Sequence, residues 1–157
     1  MDKIASYKII PTLKLILEYY SGDLNWYDIQ ELKKKEYADT GYNNQYDLLG
    51  DIRDSVVHFN SNNEFVEFVQ YVKDAKVALS KKRIAILTDS PNNVVNSTLI
   101  IEFSKELPMS FKIFSTIESL VEWIGMDKNY VILLDEYLVE HRNNPDNIFD
   151  LKKAHKV

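Results

Sequence analysis

Hydrophobic and polar residues alternate near the start of the chain with the two-residue period of a β-strand. In "YKIIPTLKLILEYYSG", residues 7–22, one face carries Leu15, Leu17 and Tyr19 and is wholly apolar or aromatic. Pro11 stands between two short apolar runs. The pattern therefore predicts a hairpin that turns near Pro11, followed by a long second arm.

The period then changes to three and four residues, which is typical of helices. Asn25 is a suitable N-cap for a first helix, and residues 63–79 repeat apolar positions at helical spacing. Ser90 and Pro91 open a third helix, and a Ser115-x-x-Glu118 capping box precedes a fourth. Dense apolar runs separate these helices and indicate strands: "DLLGDI", "RIAILTD" and "SFKIF".

The element order is thus β-β-α-β-α-β-α-β-α, with short connections. Strands that alternate with helices predict an α/β fold with a mixed, mostly parallel sheet, whose first strand pairs antiparallel. We assign residues 1–125 to this domain and residues 126–157 to a C-terminal extension with a mobile tail. Within the extension, "NYVILLDEYLVEHRNN" suits either a strand or a helix, packed on its own core or on another subunit.

Composition narrows the classes of partner. The formal net charge of −5 disfavours a nucleic-acid partner, because duplex-binding surfaces carry a basic excess. Two basic runs, residues 33–35 and 81–83, are interpreted as solvated helix surface. The chain has no cysteine, and its apolar runs are too short for membrane insertion. We therefore expect a cytoplasmic protein.

Four segments carry a resemblance to a known family. "YKIIPTLKLILEYYSGDLNWYDIQELKK", "YDLLGDIRDSVVHF", "KRIAILTDSPNNVV" and "FKIFSTIESLVEWIG" resemble the small STAS-like proteins of the SpoIIAA-like superfamily. That group includes bacterial anti-sigma-factor antagonists and is distantly related in fold to the CRAL-TRIO lipid-binding domains. The resemblance covers about residues 6–125. It implies a mostly parallel sheet with helices mainly on one side, and binding rather than catalysis.

The resemblance also singles out one serine. In the antagonists, phosphorylation of a serine that opens the helix after the third strand controls partner switching, and Ser61 corresponds to it. The antagonist turn reads Asp-Ser-Ser-Gly, whereas this chain reads "NSNN" and lacks the aspartate and the glycine. From the residues alone, Ser61 and Glu64 have the spacing of a capping box, so we predict a structural cap ahead of a phosphorylation site.

Other polar residues near the predicted strand ends are candidates for contact or regulation. Ser90 is predicted to cap its helix rather than to hold an anion. Asp51, Arg53 and Asp54 form the densest charge cluster, and we expect an ion pair in preference to acid–base catalysis. The three histidines lie far apart in sequence and show no metal-binding spacing, so neither a metal nor a cofactor is predicted.

These observations favour a non-enzymatic, STAS-like interaction or regulatory module that binds a protein partner or forms a homodimer. Contact is expected near residues 51–61 and 88–93, at one edge of the sheet. The alternative is a carrier or sensor of a small apolar, lipid-like ligand, held between the helices and the sheet. An enzyme of unknown type ranks third, because no group of residues indicates a reaction.

Overall fold

The computed structural model describes residues 2–145, which form a five-stranded sheet and five α-helices. The sheet order follows the chain, β1-β2-β3-β4-β5. β1 pairs antiparallel with β2, and the other three strand pairs are parallel. The predicted α/β class and mixed, mostly parallel sheet are confirmed. The strands are β1 (Ile4–Ile10), β2 (Leu15–Asn25), β3 (Asp47–His58), β4 (Arg83–Leu87) and β5 (Ser110–Phe114).

The helices follow the predicted order and add one in the C-terminal extension. The segment that suited either a strand or a helix is the fifth helix. The residues after 145 lie outside the described part of the chain, and so does the predicted tail. The helices are α1 (Trp26–Ala38), α2 (Asn62–Asp74), α3 (Pro91–Phe103), α4 (Ile117–Ile124) and α5 (Tyr130–Asn143).

The hairpin near Pro11 is confirmed. A short 3-10 turn, Pro11–Leu13, joins β1 to β2. Lys14 follows it with a φ of 50°, and its amide donates a hydrogen bond to the Pro11 carbonyl at 3.1 Å. The left-handed residue lets the chain reverse within four residues, since proline fixes the start of the turn.

β3 is longer than the sequence pattern predicts. The segment after Asp51 was expected to be a turn, but it continues beside β2 as far as His58. Tyr19 pairs with Asp51 and Ser21 with Asp54, so β3 holds one extra residue at this point. The Asn93 side-chain amide donates to the carbonyls of residues 52 and 55, which stabilises the bulge.

Helices cover both faces of the sheet. On one face, α4 and α5 pack on Leu17, Leu49 and Ala85. On the other, α1 packs on β1 and β2, and α2 and α3 pack toward β4 and β5. Three of the five helices thus lie on one face of the sheet. The resemblance to SpoIIAA-like proteins implies that most helices share one face.

The extension contributes to the core of the same sheet. Leu134 and Leu138 of α5 are 0% and 2% exposed and belong to the apolar cluster that includes Leu15 and Leu17 of β2. This segment was predicted to pack either on its own core or on another subunit, and the structure shows that it packs on its own core. Within residues 2–145, no helix is both long and apolar enough to cross a membrane.

Candidate functional site

Ser61 occupies the N-cap position of α2 but does not cap it. Its hydroxyl makes no capping hydrogen bond, and the residue is exposed. The Glu64 carboxylate reaches back one residue further, where it accepts hydrogen bonds from the backbone and side-chain nitrogens of Asn60 at 2.7 and 3.2 Å. The predicted Ser61–Glu64 capping box is therefore wrong, because Glu64 bonds to Asn60 instead.

Two further capping predictions need correction. Ser90 stands at the N-cap position of α3, but its hydroxyl makes no capping hydrogen bond, and its backbone amide donates to the Thr88 hydroxyl at 3.2 Å. At α4 the cap is Thr116, whose hydroxyl accepts from the Ser119 amide at 3.4 Å. The helix thus starts one residue later than the box at Ser115 predicts.

The predicted ion pair between Asp51 and Arg53 is confirmed. The guanidinium donates two hydrogen bonds to the Asp51 carboxylate, at 2.8 and 2.9 Å, and Asp51 is only 1% exposed. Arg142 of α5 lies 3.5 Å from Asp51 and 2.9 Å from Asp54. Burial and the hydrogen bond to Asp54 raise the pKa of Tyr19 to about 12. These carboxylates hold α5 on the sheet.

The candidate residues do not form one site. The acidic cluster contacts α5, whereas Ser61 follows the far end of β3. The segments 52–57 and 88–93 do meet, because Asn93 hydrogen-bonds to the backbone of β3. His58 lies 3.5 Å from Asp23, and His141 is hydrogen-bonded to Ser6. Across residues 2–145, no group of three His, Asp or Glu side chains could hold a metal ion.

A cavity of about 110 Å³ lies between the sheet and the three helices α1, α2 and α3. We call it the helix–sheet cavity. Most of its lining is aliphatic or aromatic. The strands contribute Leu48, Ile84, Ile86 and Phe111, and the helices contribute Ile29, Phe68, Val72 and Ile100.

Burial along β4 shows that the two faces of the sheet are packed differently. Ala85 and Leu87, which point toward α4 and α5, are both 0% exposed. Ile84 and Ile86 point to the other face and keep accessible surface, although β4 lies between two strands under a layer of helices. Protein interiors are normally close-packed. The helices α1–α3 therefore leave space above the centre of the sheet.

A buried group of charged and polar side chains adjoins the cavity, and three of its members, Glu18, Tyr20 and Lys33, line it. Glu18 of β2 and Lys33 of α1 form a salt bridge, and the Tyr20 hydroxyl donates to Glu18 at 3.0 Å. Glu36 lies 3.7 Å from the Lys33 ammonium. All four residues are at most 8% exposed.

The pKa directions within this group follow from burial and from the neighbouring charges. Burial raises the pKa of Glu36 well above its usual range, so its neutral form is favoured. Burial also opposes the charge of Glu18, but the Lys33 ammonium and the hydrogen bonds to this carboxylate together outweigh burial and lower the pKa of Glu18. The two carboxylates in turn raise the pKa of Lys33. Glu18 and Lys33 thus form the ionised pair.

Lys82 is a second buried cation in the lining. It is 4% exposed and directly precedes β4. Its ammonium donates a hydrogen bond to the Tyr42 hydroxyl at 3.1 Å and forms no ion pair with the residues described here. Burial, together with the nearby Lys33, lowers the pKa of Lys82 to about 8.

The two basic runs do not by themselves indicate this group, because both have the pattern of solvated helix surface. The interpretation of these runs as solvated surface is wrong for Lys33 and Lys82, although Lys34, Lys35 and Lys81 are exposed. The spacing of residues in α1 does indicate that two of its charged side chains are buried. Ile29, Lys33 and Glu36 repeat at four- and three-residue spacing, which places the two charged residues on the apolar stripe of α1.

Compared with known proteins, the sequence matches no protein-family model and no curated protein. The structure is similar to that of an uncharacterised protein of the DUF3478 family, with a SpoIIAA-like fold, from Shewanella loihica PV-4. The two chains are 14% identical, and the TM-score is 0.51. The match covers 79% of this chain and 95% of the other. The chain described here therefore has a SpoIIAA-like fold, as its sequence resemblance implies.

Proposed function

We propose that this protein is a non-enzymatic binding protein that holds a small, largely apolar ligand in the helix–sheet cavity. The observation that carries the proposal is the accessible surface of Ile84 and Ile86 beneath a layer of helices. Apolar surface in such a position favours an apolar guest, because contact with the guest removes that surface from water. The carrier or sensor function inferred from the sequence also requires a ligand between the helices and the sheet.

The size of the cavity limits the ligand. An engineered apolar cavity of about 150 Å³ accommodates benzene, and the helix–sheet cavity measures about 110 Å³. A compact guest of roughly six to nine heavy atoms suits this volume if the side chains around it shift slightly. A long acyl chain would require the helices to separate.

Binding is favoured over catalysis because the carboxylate that lines the cavity already has hydrogen-bond and ionic partners. The Glu18 carboxylate is engaged by Lys33 and Tyr20, which leaves it poorly placed to take a proton from a substrate. The resemblance to SpoIIAA-like proteins also implies binding. A role as carrier or sensor needs no further chemical group.

A matched pair of substitutions on α2 tests this proposal. Val72 lines the cavity and is 5% exposed, whereas Val66 lies on the outer face of the same helix and is 52% exposed. Toluene and benzyl alcohol, titrated into the full chain and followed by NMR, should shift resonances of cavity residues. Val72→Phe should weaken binding at least about ten-fold, because the ring occupies the space, and Val66→Phe should leave it unchanged.

Two results would count against the proposal. One is the absence of saturable shifts in the wild-type protein with either probe. The other is equal binding by the two valine variants, provided that thermal unfolding shows both to be folded. Native mass spectrometry of freshly purified protein adds a separate readout, since a retained natural ligand would appear as a discrete mass increment.

A second candidate function is contact with a protein partner at the turn before α2. Ser61 favours it, because its hydroxyl is exposed and takes no part in capping. A phosphate there would lie at a helix N-terminus, where negative charge is stabilised. Asp51, Arg53 and Asp54 suit this role less well, because Arg53 pairs with Asp51, and Arg142 pairs with both aspartates.

Affinity capture from the native host tests this second function. Ser61→Asp should change the set of captured proteins relative to wild type, and a phosphate on Ser61 should be found in cells. Ser115 is also exposed, so Ser115→Asp is the matched control. Identical capture by wild type and Ser61→Asp would exclude regulation through this serine.

A further inference from the structure

The charges around the helix–sheet cavity are unevenly paired. Glu18 and Lys33 neutralise each other, and the Glu36 carboxyl lies 3.7 Å from the same lysine. In the described part of the chain, residues 2–145, Lys82 has only the uncharged Tyr42 hydroxyl within hydrogen-bond distance. An ammonium has three donors, so Lys82 retains the capacity for two more hydrogen bonds.

A buried lysine of this kind is costly unless something compensates for it. Transfer of a charged group from water into a protein interior is unfavourable, and an ion pair or an acceptor normally offsets part of the cost. Within residues 2–145, no carboxylate lies within 4.0 Å of the Lys82 ammonium. The side chain nevertheless lines the cavity and is 4% exposed.

We infer that the ligand of the helix–sheet cavity is a small monocarboxylic acid whose carboxylate binds the Lys82 ammonium. Its apolar part would occupy the space above Ile84 and Ile86. This inference rests on the proposed function and specifies the chemical class of the ligand. One negative charge matches Lys82, the lysine of the cavity lining that has no ion pair within residues 2–145, whereas a cationic ligand would face both Lys33 and Lys82.

The charges of the surrounding groups favour an anionic ligand. The pKa of Glu36 is raised by burial, so the cluster of Glu18, Glu36, Lys33 and Lys82 carries a net positive charge while Lys82 is protonated. A bound carboxylate would in turn favour the protonated form of Lys82. The tyrosine hydroxyls nearby, on Tyr37 and Tyr42, have pKa values raised by burial and remain neutral.

The test compares three probes of nearly equal size on the full chain at pH 7, by calorimetry and NMR. They are benzoate, benzyl alcohol and benzylamine. Benzoate should bind at least about ten-fold more tightly than benzyl alcohol, as expected for a charge-assisted hydrogen bond in a buried site. Benzylamine should bind most weakly of the three.

Substitution of the lysine provides the second arm. Lys82→Met removes the charged ammonium and keeps an unbranched side chain, so the advantage of benzoate over benzyl alcohol should disappear. Lys81 is the exposed neighbour, and Lys81→Met should preserve that advantage. Binding of benzyl alcohol to Lys82→Met shows that the variant is folded. If the variant does not fold, the ranking of the three probes on the wild type still decides the question.

The outcomes distinguish failure of the carboxylate inference from failure of the proposed binding in the cavity. Equal affinity for benzoate and benzyl alcohol, or tighter binding of benzylamine, would overturn the carboxylate inference and leave the cavity as an apolar binding site. Binding of none of the probes would overturn both. A benzoate preference that persists in Lys82→Met would place the carboxylate elsewhere and contradict the role of this lysine.

Discussion

At the scale of single residues, the buried charges of α1 and β2 distinguish this protein from an ordinary helix-on-sheet core. Glu18 occupies the middle of a strand that has neighbours on both sides, and Lys33 reaches it from the helix above. A pair of this kind does little for stability compared with well-packed apolar residues. The pair does fix the position of α1 relative to β2, because each buried charge is stabilised only when the other lies beside it.

The first prediction concerns the removal of one partner. Lys33→Met should lower the free energy of unfolding by about 3 kcal/mol, because the Glu18 carboxylate would stay buried without its counter-ion. Urea denaturation at pH 7 measures this change. The double variant Glu18→Gln with Lys33→Met should be more stable than Lys33→Met alone.

Lys34 provides the control for this prediction. It is the next residue of the helix and pairs with Glu31, but its side chain is 53% exposed. Lys34→Met should change the free energy of unfolding by no more than about 0.5 kcal/mol, as is usual for surface ion pairs. Equal losses in Lys33→Met and Lys34→Met would contradict the buried, ionised pair.

At the scale of secondary-structure elements, helix starts with similar sequence signals differ in their contacts. In α1, the Asn25 side chain accepts from the Asp28 amide at 3.1 Å, and the Asp28 carboxylate accepts from the Asn25 amide at 2.9 Å. This is a complete capping box. In α2, the equivalent serine hydroxyl makes no capping bond.

The second prediction follows from this difference. Asn25→Ala should lower the free energy of unfolding by about 1 kcal/mol, the usual cost of a lost cap. Ser61→Ala should change it by less than about 0.5 kcal/mol, because no hydrogen bond is lost. Urea denaturation of both variants checks the comparison. A loss at Ser61 as large as that at Asn25 would show that its hydroxyl caps α2 in solution.

At the scale of the whole molecule, the sheet has one tightly packed face and one face on which packing is incomplete. α5 completes the packed face. Leu134 and Leu138 lie against the residues of β2, and Arg142 binds Asp51 and Asp54 at the end of the same helix. Residues from the C-terminal extension are therefore part of the core.

The third prediction tests this role of α5. Leu134→Ala should lower the free energy of unfolding by about 2 to 5 kcal/mol, because it leaves a cavity in the packed face. Ile132 of the same helix is 72% exposed, and Ile132→Ala should cost less than about 0.5 kcal/mol. Similar effects at the two positions would argue that α5 leaves the sheet in solution.

Much of the fold could be predicted because local signals and tertiary structure agree. Alternation identified β2, helical spacing identified α1 and α2, and capping signals identified α3 and α4. Gly125 ends α4 in the left-handed conformation that glycine favours. The site was harder to predict. Glu18 has the same appearance in the sequence as a solvent-facing strand residue, because a period of two assigns a face but does not indicate what covers it.

The sequence by itself determined the order and type of the elements as far as α4, and the resemblance to SpoIIAA-like proteins, since these depend on periodicity, turn residues and short connections. Only the tertiary structure decided which polar residues are buried and where packing is incomplete. Those properties depend on contacts between segments far apart in the chain, such as Glu18 with Lys33, or Ile84 beneath the helices. The helix–sheet cavity exists because three helices meet over one sheet face without filling it.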